Sequence, residues 1–343
     1  MLHHQRPPAT EYDVALLDLD GVVYTGQGAV PQAVQALAQA RKAGQRLAFV
    51  TNNASRSPSA VAAHLTRLGV PATDNDVVTS AQAAASLIAE RVPPGSPVLV
   101  AGAMGLRLAL RARGLRPVSV AAERPLAVVQ GYAPDMSYGL LAEAALAVRA
   151  GALFVGANAD LTLPSPRGLQ PGNGSMLQVI ATSTGVQPIV AGKPELPLHA
   201  EAVARTGAKR PLVVGDRLDT DIEGAVRGDA DSMLVLTGVS TPADLVLAPP
   251  SQRPTYVSSD LRGLLEPQPV VGVRRGSDAV EFGNAAQCQG WIARRETPDG
   301  QIELTGDGEA IDGLRALCAL AWSGPQITAE QADTALKVLK DSL

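Results

Sequence analysis

Cysteine, histidine and aromatic residues are all scarce in this 343-residue chain: two Cys, four His, and only 3% Phe, Trp and Tyr together. Cys288 and Cys318 form no C-x-x-C pair and both fall in the last fifth of the sequence. That excludes a disulfide scaffold and a cysteine-rich zinc site. His3 and His4 sit in the N-terminal tail and His64 and His199 within predicted helices, so the histidines are poorly placed as metal ligands. Cores must therefore be built largely from Ala, Val and Leu. Long apolar runs are also missing. None approaches the ~18 residues that span a bilayer, and the stretch 97–106 is broken by Arg107. The opening MLHHQRPPATEYD lacks the apolar segment of a signal peptide. These features predict a soluble protein of the reducing cytoplasm, with no membrane insertion. No sign of charge dominates: 29 basic and 33 acidic side chains give −4. A broad nucleic-acid-binding face would show clustered Lys and Arg. One small anionic substrate needs only a few local groups.

What is present is globular: 46% hydrophobic and 18% charged residues, in a length that suggests two or three domains. Apolar strands alternate with amphipathic helices from residue 13 onward. VALLDLD (14–20), LAFVT (47–51), PVLVAG (97–102), LAVVQG (126–131), ALFVGAN (152–158), PLVVGD (211–216) and SMLVLTG (232–238) read as strands. The intervening helices are predicted over 31–43, 58–68, 103–113, 137–150, 176–184, 195–207 and 219–227. Strands without in/out alternation, separated by helices, predict a parallel sheet covered on both faces. Residues 160–175, rich in Pro and Gly, read as a long irregular loop. Beyond Pro267, VVGVRRG, DAVEFG, GWIARRE and QIELTG read as short antiparallel strands, followed by helices over 309–322 and 328–341. This is a small α+β appendage.

The strongest chemical signal is DLDGVVY at 18–24. Asp18 and Asp20 end a buried strand with both carboxylates on one side, where open parallel sheets bind ligands. Gly21 turns the chain away and leaves space above them. Close carboxylates repel, and a divalent cation offsets that repulsion. The bland alternative is an Asp-Gly surface turn. GDRLDTD (215–221) repeats the pattern after another strand. The helix dipole accounts for Asp219 as a first-turn acid, whereas Asp216, on the strand end, suits a hard cation such as Mg²⁺. Thr51-Asn52-Asn53 offers hydroxyl, amide and backbone donors to an anion, or simply a helix entry. Lys193, between Gly192 and Pro194, stands at a fourth strand end. Each piece is weak alone; four strand ends in order make coincidence a poor account.

As a set these motifs resemble the haloacid-dehalogenase-like superfamily of phosphotransferases over residues 13–262. DLDGVVY is similar to its first motif, TNN to its second, GKP to its third and GDRLDTD to its fourth. The resemblance implies an α/β fold: a Rossmann-like core at 1–81 and 183–265, an inserted type-2 α/β cap at 82–182, and the appendage at 266–343. It is most similar to the 4-nitrophenylphosphatase-like subgroup and, with its length and appendage, to actinobacterial glycerol 3-phosphate phosphatases. Gly156-Ala157-Asn158 stands where many of those relatives have Gly-Thr-Asn. In that group the appendage is acetyltransferase-like; here no R/Q-x-x-G-x-G/A coenzyme-A loop is found, and no acetyl transfer is expected.

What the resemblance implies for chemistry is Mg²⁺-dependent phosphomonoester hydrolysis. Asp18 is the nucleophile and Asp20 the general acid and base. Asp18, the Asp20 backbone carbonyl and Asp216 hold the metal, with Asp221 orienting its waters. Thr51, Asn52, Asn53 and Lys193 bind phosphate. Asn158, Asp160, Arg167 and Asn173 are cap polar residues facing specificity, or loop residues satisfied locally. Glycerol 3-phosphate is the favoured substrate; the alternatives are a broad-range, pyridoxal-phosphate or phosphoglycolate phosphatase, or a non-catalytic phosphometabolite-binding regulator. A cap-mediated homodimer is a family-level expectation, and truncation after about Leu265 is expected to leave the core site chemically intact.

Overall fold

The computed structural model describes residues 6–165, 167–274, 284–297 and 300–339. His3, His4, the DAVEFG strand (278–283) and the last residues of the 328–341 helix lie outside them. The chain divides into two compact units, Met1–Leu47 with Lys209–Leu343, and Ala48–Ala208.

In the first unit four parallel strands lie in the order Tyr256–Ser258, Asp231–Val235, Pro211–Gly215, Val14–Leu17. Val14 to Leu17 are buried without alternation, as a strand covered on both faces must be. The Val14↔Pro211 register brings the carboxyl ends of these two strands level, so Asp18 and Asp216 each follow directly on a paired strand end. The appendage adds an antiparallel sheet of Val271–Arg274, Asn284–Cys288, Trp291–Arg295 and Glu303–Thr305. Helices Ala310–Ser323 and Ala329–Leu336 accompany it, the second capped by Thr328, which accepts from the Gln331 N–H. Its apolar side chains share one core with Ile222, Leu234, Leu245, Val246 and Val257. The appendage is thus built into this unit through a common core.

The second unit pairs Phe49–Thr51 with Val77–Thr79 in parallel. It also carries a five-stranded parallel sheet in the order Ile189–Val190, Leu153–Gly156, Ala127–Gln130, Pro97–Ala101, Arg116–Val118. Leu99, Val128 and Phe154 pack with Ala147, Val148, Leu177 and Ile180, the apolar sides of helices Tyr138–Arg149 and Asn173–Thr184. The segment read from sequence as an irregular loop is a hairpin, Thr162–Ser165 against Gly168–Pro171. Its prolines and glycine hid it, since Pro sits in edge strands without donating to the ladder. The following helix starts at Asn173, three residues earlier than predicted.

Candidate active site

Two groups of side chains emerge, one in each unit. In the first, carboxylate oxygens of Asp18, Asp216 and Asp221 lie within 4.8 Å of one another. Asp216 and Asp221 are nearly inaccessible, at 1% and 2% exposure. Three local devices hold them. The Val239 N–H donates to Asp216 Oδ2 at 2.7 Å, and the Arg217 N–H to Asp221 Oδ2 at 3.2 Å. Leu218–Ile222 winds as a wide π-type turn, a form frequent at functional sites, and it carries Asp221 back beneath the strand end. Glycines then clear the space: a Cβ on Gly21 (φ +82°) would stand 2.5 Å from Asp216 Oδ2, and one on Gly238 would overlap that carboxylate outright. Gly215 does the same for Asp221. Thr237 fastens the arrangement, donating its hydroxyl to the Gly21 carbonyl at 2.5 Å.

Like charges about 4 Å apart repel by about 4 kcal/mol at an effective dielectric near 20, more than one backbone hydrogen bond offsets. A hard, oxygen-preferring cation satisfies such a set, so the residues fit the Mg²⁺ that their sequence pattern implies. Sequence reasoning placed Asp221 in an outer role; its carboxylate lies in the same group as the other two. Asp20 is exposed and stands outside that group, its backbone bridged to Tyr24. Thr237 and Gly238 were missed, although LTG after an apolar strand repeats the strand-end pattern seen elsewhere.

The second group centres on Asn52. Its Oδ1 accepts the Lys193 N–H at 2.8 Å, and its Nδ2 donates to the Lys193 carbonyl at 3.2 Å and to Asp160 Oδ2 at 3.2 Å. The Asn52 carbonyl accepts from Ser80 Oγ (2.6 Å) and Asn158 Nδ2 (2.7 Å). Asn158 Oδ1 accepts the Asp160 N–H, and the Asn158 carbonyl accepts from Asn173 Nδ2 at 2.7 Å. Lys193 Nζ donates to the Val50 carbonyl at 3.3 Å. Thr51 is buried and its hydroxyl accepts the Asn53 N–H; Asn53 is exposed, and its side chain accepts from Ser55. The structure therefore brings Asn52, Lys193, Asn158, Asp160 and Asn173 together. Arg167 lies exposed at the turn of the 162–171 hairpin.

A parallel α/β fold with clustered strand-end carboxylates defines a hydrolase of the haloacid dehalogenase type, and comparison with known proteins agrees. Residues 15–116 match the haloacid dehalogenase-like hydrolase family and 190–264 a second HAD-hydrolase-like model. Residues 288–341 match a GCN5-related N-acetyltransferase-like domain. D-glycerol 3-phosphate phosphatase of Mycobacterium tuberculosis is 48% identical over 322 residues, covering 92% of this chain and 87% of its own. The crystal structure of that organism's glycerol phosphate phosphatase with magnesium superposes with a TM-score of 0.84 at 44% identity, over 97% of this chain and 99% of that one. The 4-nitrophenylphosphatase of Thermotoga maritima gives 0.70 at 30% identity, over 77% and 98%. The chain belongs to the haloacid dehalogenase-like hydrolases.

Proposed function

We propose that this chain is a Mg²⁺-dependent phosphomonoester hydrolase that works through an aspartyl-phosphate on Asp18, with glycerol 3-phosphate as its substrate. One observation carries the reaction class: the Asp18, Asp216 and Asp221 carboxylates gathered at parallel strand ends in a glycine-cleared space. The near-full-length likeness to a D-glycerol 3-phosphate phosphatase supports the substrate.

In this reading an Asp18 carboxylate oxygen attacks phosphorus in line, and the bond from phosphorus to the ester oxygen breaks. Asp20 gives its proton to the departing alkoxide, then takes a proton from the water that attacks the aspartyl-phosphate. The Asp18–phosphorus bond breaks and inorganic phosphate leaves. An alkoxide needs that acid where a halide would not, which favours ester hydrolysis over dehalogenation. Asp18, the Asp20 carbonyl, Asp216 and Asp221 would hold Mg²⁺, which when bound neutralises charge on the transferring phosphoryl group. Thr51, the backbone at Asn52 and Asn53, and Lys193 receive phosphate oxygens. Residues 82–182 serve as the cap, and the enzyme acts on its metabolite in the cytoplasm.

The test is phosphate release from glycerol 3-phosphate, pyridoxal phosphate and phosphoglycolate, with Mg²⁺ and with chelator. Turnover should require Mg²⁺, vanish in Asp18→Asn, and show the highest kcat/KM on glycerol 3-phosphate. Undiminished turnover by Asp18→Asn would sink the mechanism, and a lower rank for glycerol 3-phosphate would sink the substrate.

A further inference from the structure

The geometry points to Asn52, Asn158 and Asn173 as a relay of positioning residues that fixes the backbone at Lys193, rather than as side chains that read the substrate. This rests on Lys193 being the phosphate-binding lysine of the reading above. Asn52 clasps the Lys193 backbone on either side of its Cα, accepting its N–H and donating to its carbonyl. That is the pairing one strand residue makes with its neighbour, delivered here by a side chain. It leaves the Asn52 carboxamide committed to protein partners, since its remaining donor capacity goes to Asp160.

The clasp needs close approach, and the sequence supplies it. A Cβ on Gly192 would stand 2.5 Å from Asn52 Oδ1, 2.7 Å from the Ala157 carbonyl and 3.0 Å from Asn158 Cβ. Only glycine lets the 157–158 segment, Asn52 and the residue before Lys193 meet. Asn52 is held in turn by Asn158, whose amide donates to its carbonyl, and Asn158 by Asn173 at the start of a twelve-residue helix. Asn158 and Asn173 are 5% and 2% exposed. Each of these enclosed side chains donates its Nδ2 to a backbone carbonyl, and in that way orients another segment. A Cβ on Gly172 or Gly174, on either side of Asn173, would overlap the carbonyl oxygen of Asp160 or Ala159 respectively, and the two glycine N–H groups donate to the Leu161 and Asp160 carbonyls, so the outer end of the relay is anchored as well. A lysine has four rotatable bonds and needs a fixed origin if its ammonium is to meet a phosphate oxygen reproducibly. Small errors in placement cost rate.

The relay makes a claim that a substrate-reading role does not. Loss of Asn158 or Asn173 should act through Lys193 alone and be blind to the leaving group. In Asn158→Ala and Asn173→Ala, kcat should fall about 10- to 100-fold, by the same factor for glycerol 3-phosphate and for 4-nitrophenyl phosphate. In a Lys193→Ala background, Asn158→Ala should add less than about twofold, because residues acting as one unit are not additive. Substrate-dependent losses, or losses that multiply undiminished in that background, would overturn the relay. Amide hydrogen exchange at Lys193, whose N–H the clasp occupies, reads the same claim without activity. It should accelerate in both single variants, and unchanged exchange in folded protein overturns the proposal. If Asn158→Ala fails to fold, Asn173→Ala carries both measurements. Wild-type protein that hydrolyses neither ester would defeat the phosphatase reading, while the exchange result still decides the relay.

Discussion

Asp216 shows how much one residue's surroundings must give up for function. Its carboxylate is buried beside two others, and three glycines withhold side chains from the space around the group. Replacing Gly238 by Ala places a methyl where the Asp216 carboxylate stands. The expected result is a 10- to 100-fold higher Mg²⁺ midpoint for activity, the size of effect seen when groups supporting metal ligands are disturbed. A Mg²⁺ titration of phosphate release measures it, and an unchanged midpoint would refute it. Asp20, exposed and outside the carboxylate group, should behave differently. Asp20→Asn should keep the wild-type Mg²⁺ midpoint while kcat drops about 10²- to 10⁴-fold, the usual worth of general acid–base catalysis.

At the scale of elements, the helix Leu196–Thr206 joins structure to pH. Its Glu201 is buried and takes Arg113, Arg205 and Ser86 as partners, tying three helices of the second unit. On the same helix, burial holds His199 below its ordinary value. A neutral imidazole in the folded state means that the unfolded chain binds the proton first as pH falls. Stability is therefore unaffected above about pH 6.5 and declines as pH drops from there through the folded-state value. Thermal unfolding followed between pH 7 and pH 5 should show wild type losing more Tm than His199→Gln. Parallel loss in both would rule the contribution out.

Elements were also where the sequence was most legible. The continuous apolar run at Val14–Leu17, the Ser57 cap that accepts the Ala60 N–H and the Thr328 capping box are local signals, written in consecutive residues. The Thr162–Ser165 hairpin was not legible, because Pro and Gly mark a loop unless a partner strand is known. Nor was the commitment of Asn52: its partners Lys193 and Asp160 lie more than a hundred residues away in sequence, and nothing local distinguishes an amide that binds phosphate from one that clasps a peptide. Motif spacing marks the strand ends, whereas the hydrogen bonds among them join segments that only folding brings together.

For the molecule as a whole, the appendage matters through its core. Ile222, Leu245, Val246 and Val257 share one apolar cluster with Trp291, Leu314 and Leu317. Uncovering four such side chains, at about 1.5–3 kcal/mol each, rivals the ~5–15 kcal/mol that holds a domain folded. Truncation after Leu265, which by the motifs alone leaves the core site chemically intact, should give insoluble or strongly destabilised protein in expression and unfolding assays; a soluble truncate of unchanged Tm would contradict this. The cysteines report on the same core. Burial, with Asp312 nearby, pushes the Cys288 thiol up to about 12, and burial raises Cys318 as well. Neither thiol should react with iodoacetamide in native protein at pH 8, while both label in denaturant. Native labelling would show the core to be open.

Arg315 gives this packing a further meaning. Its guanidinium donates twice to the Val257 carbonyl, at 2.6 and 3.1 Å, while Asp312 and Gln268 hold it in place. Tyr256–Ser258 is the outermost strand of its sheet, and an open strand edge is a template on which another chain can add. The carbonyl at the middle of that edge is already taken by a buried cation, and the helix bearing Arg315 packs its apolar side chains into the core beside it. The C-terminal segment thus also works as a stopper, ending a parallel sheet that would otherwise invite a second molecule.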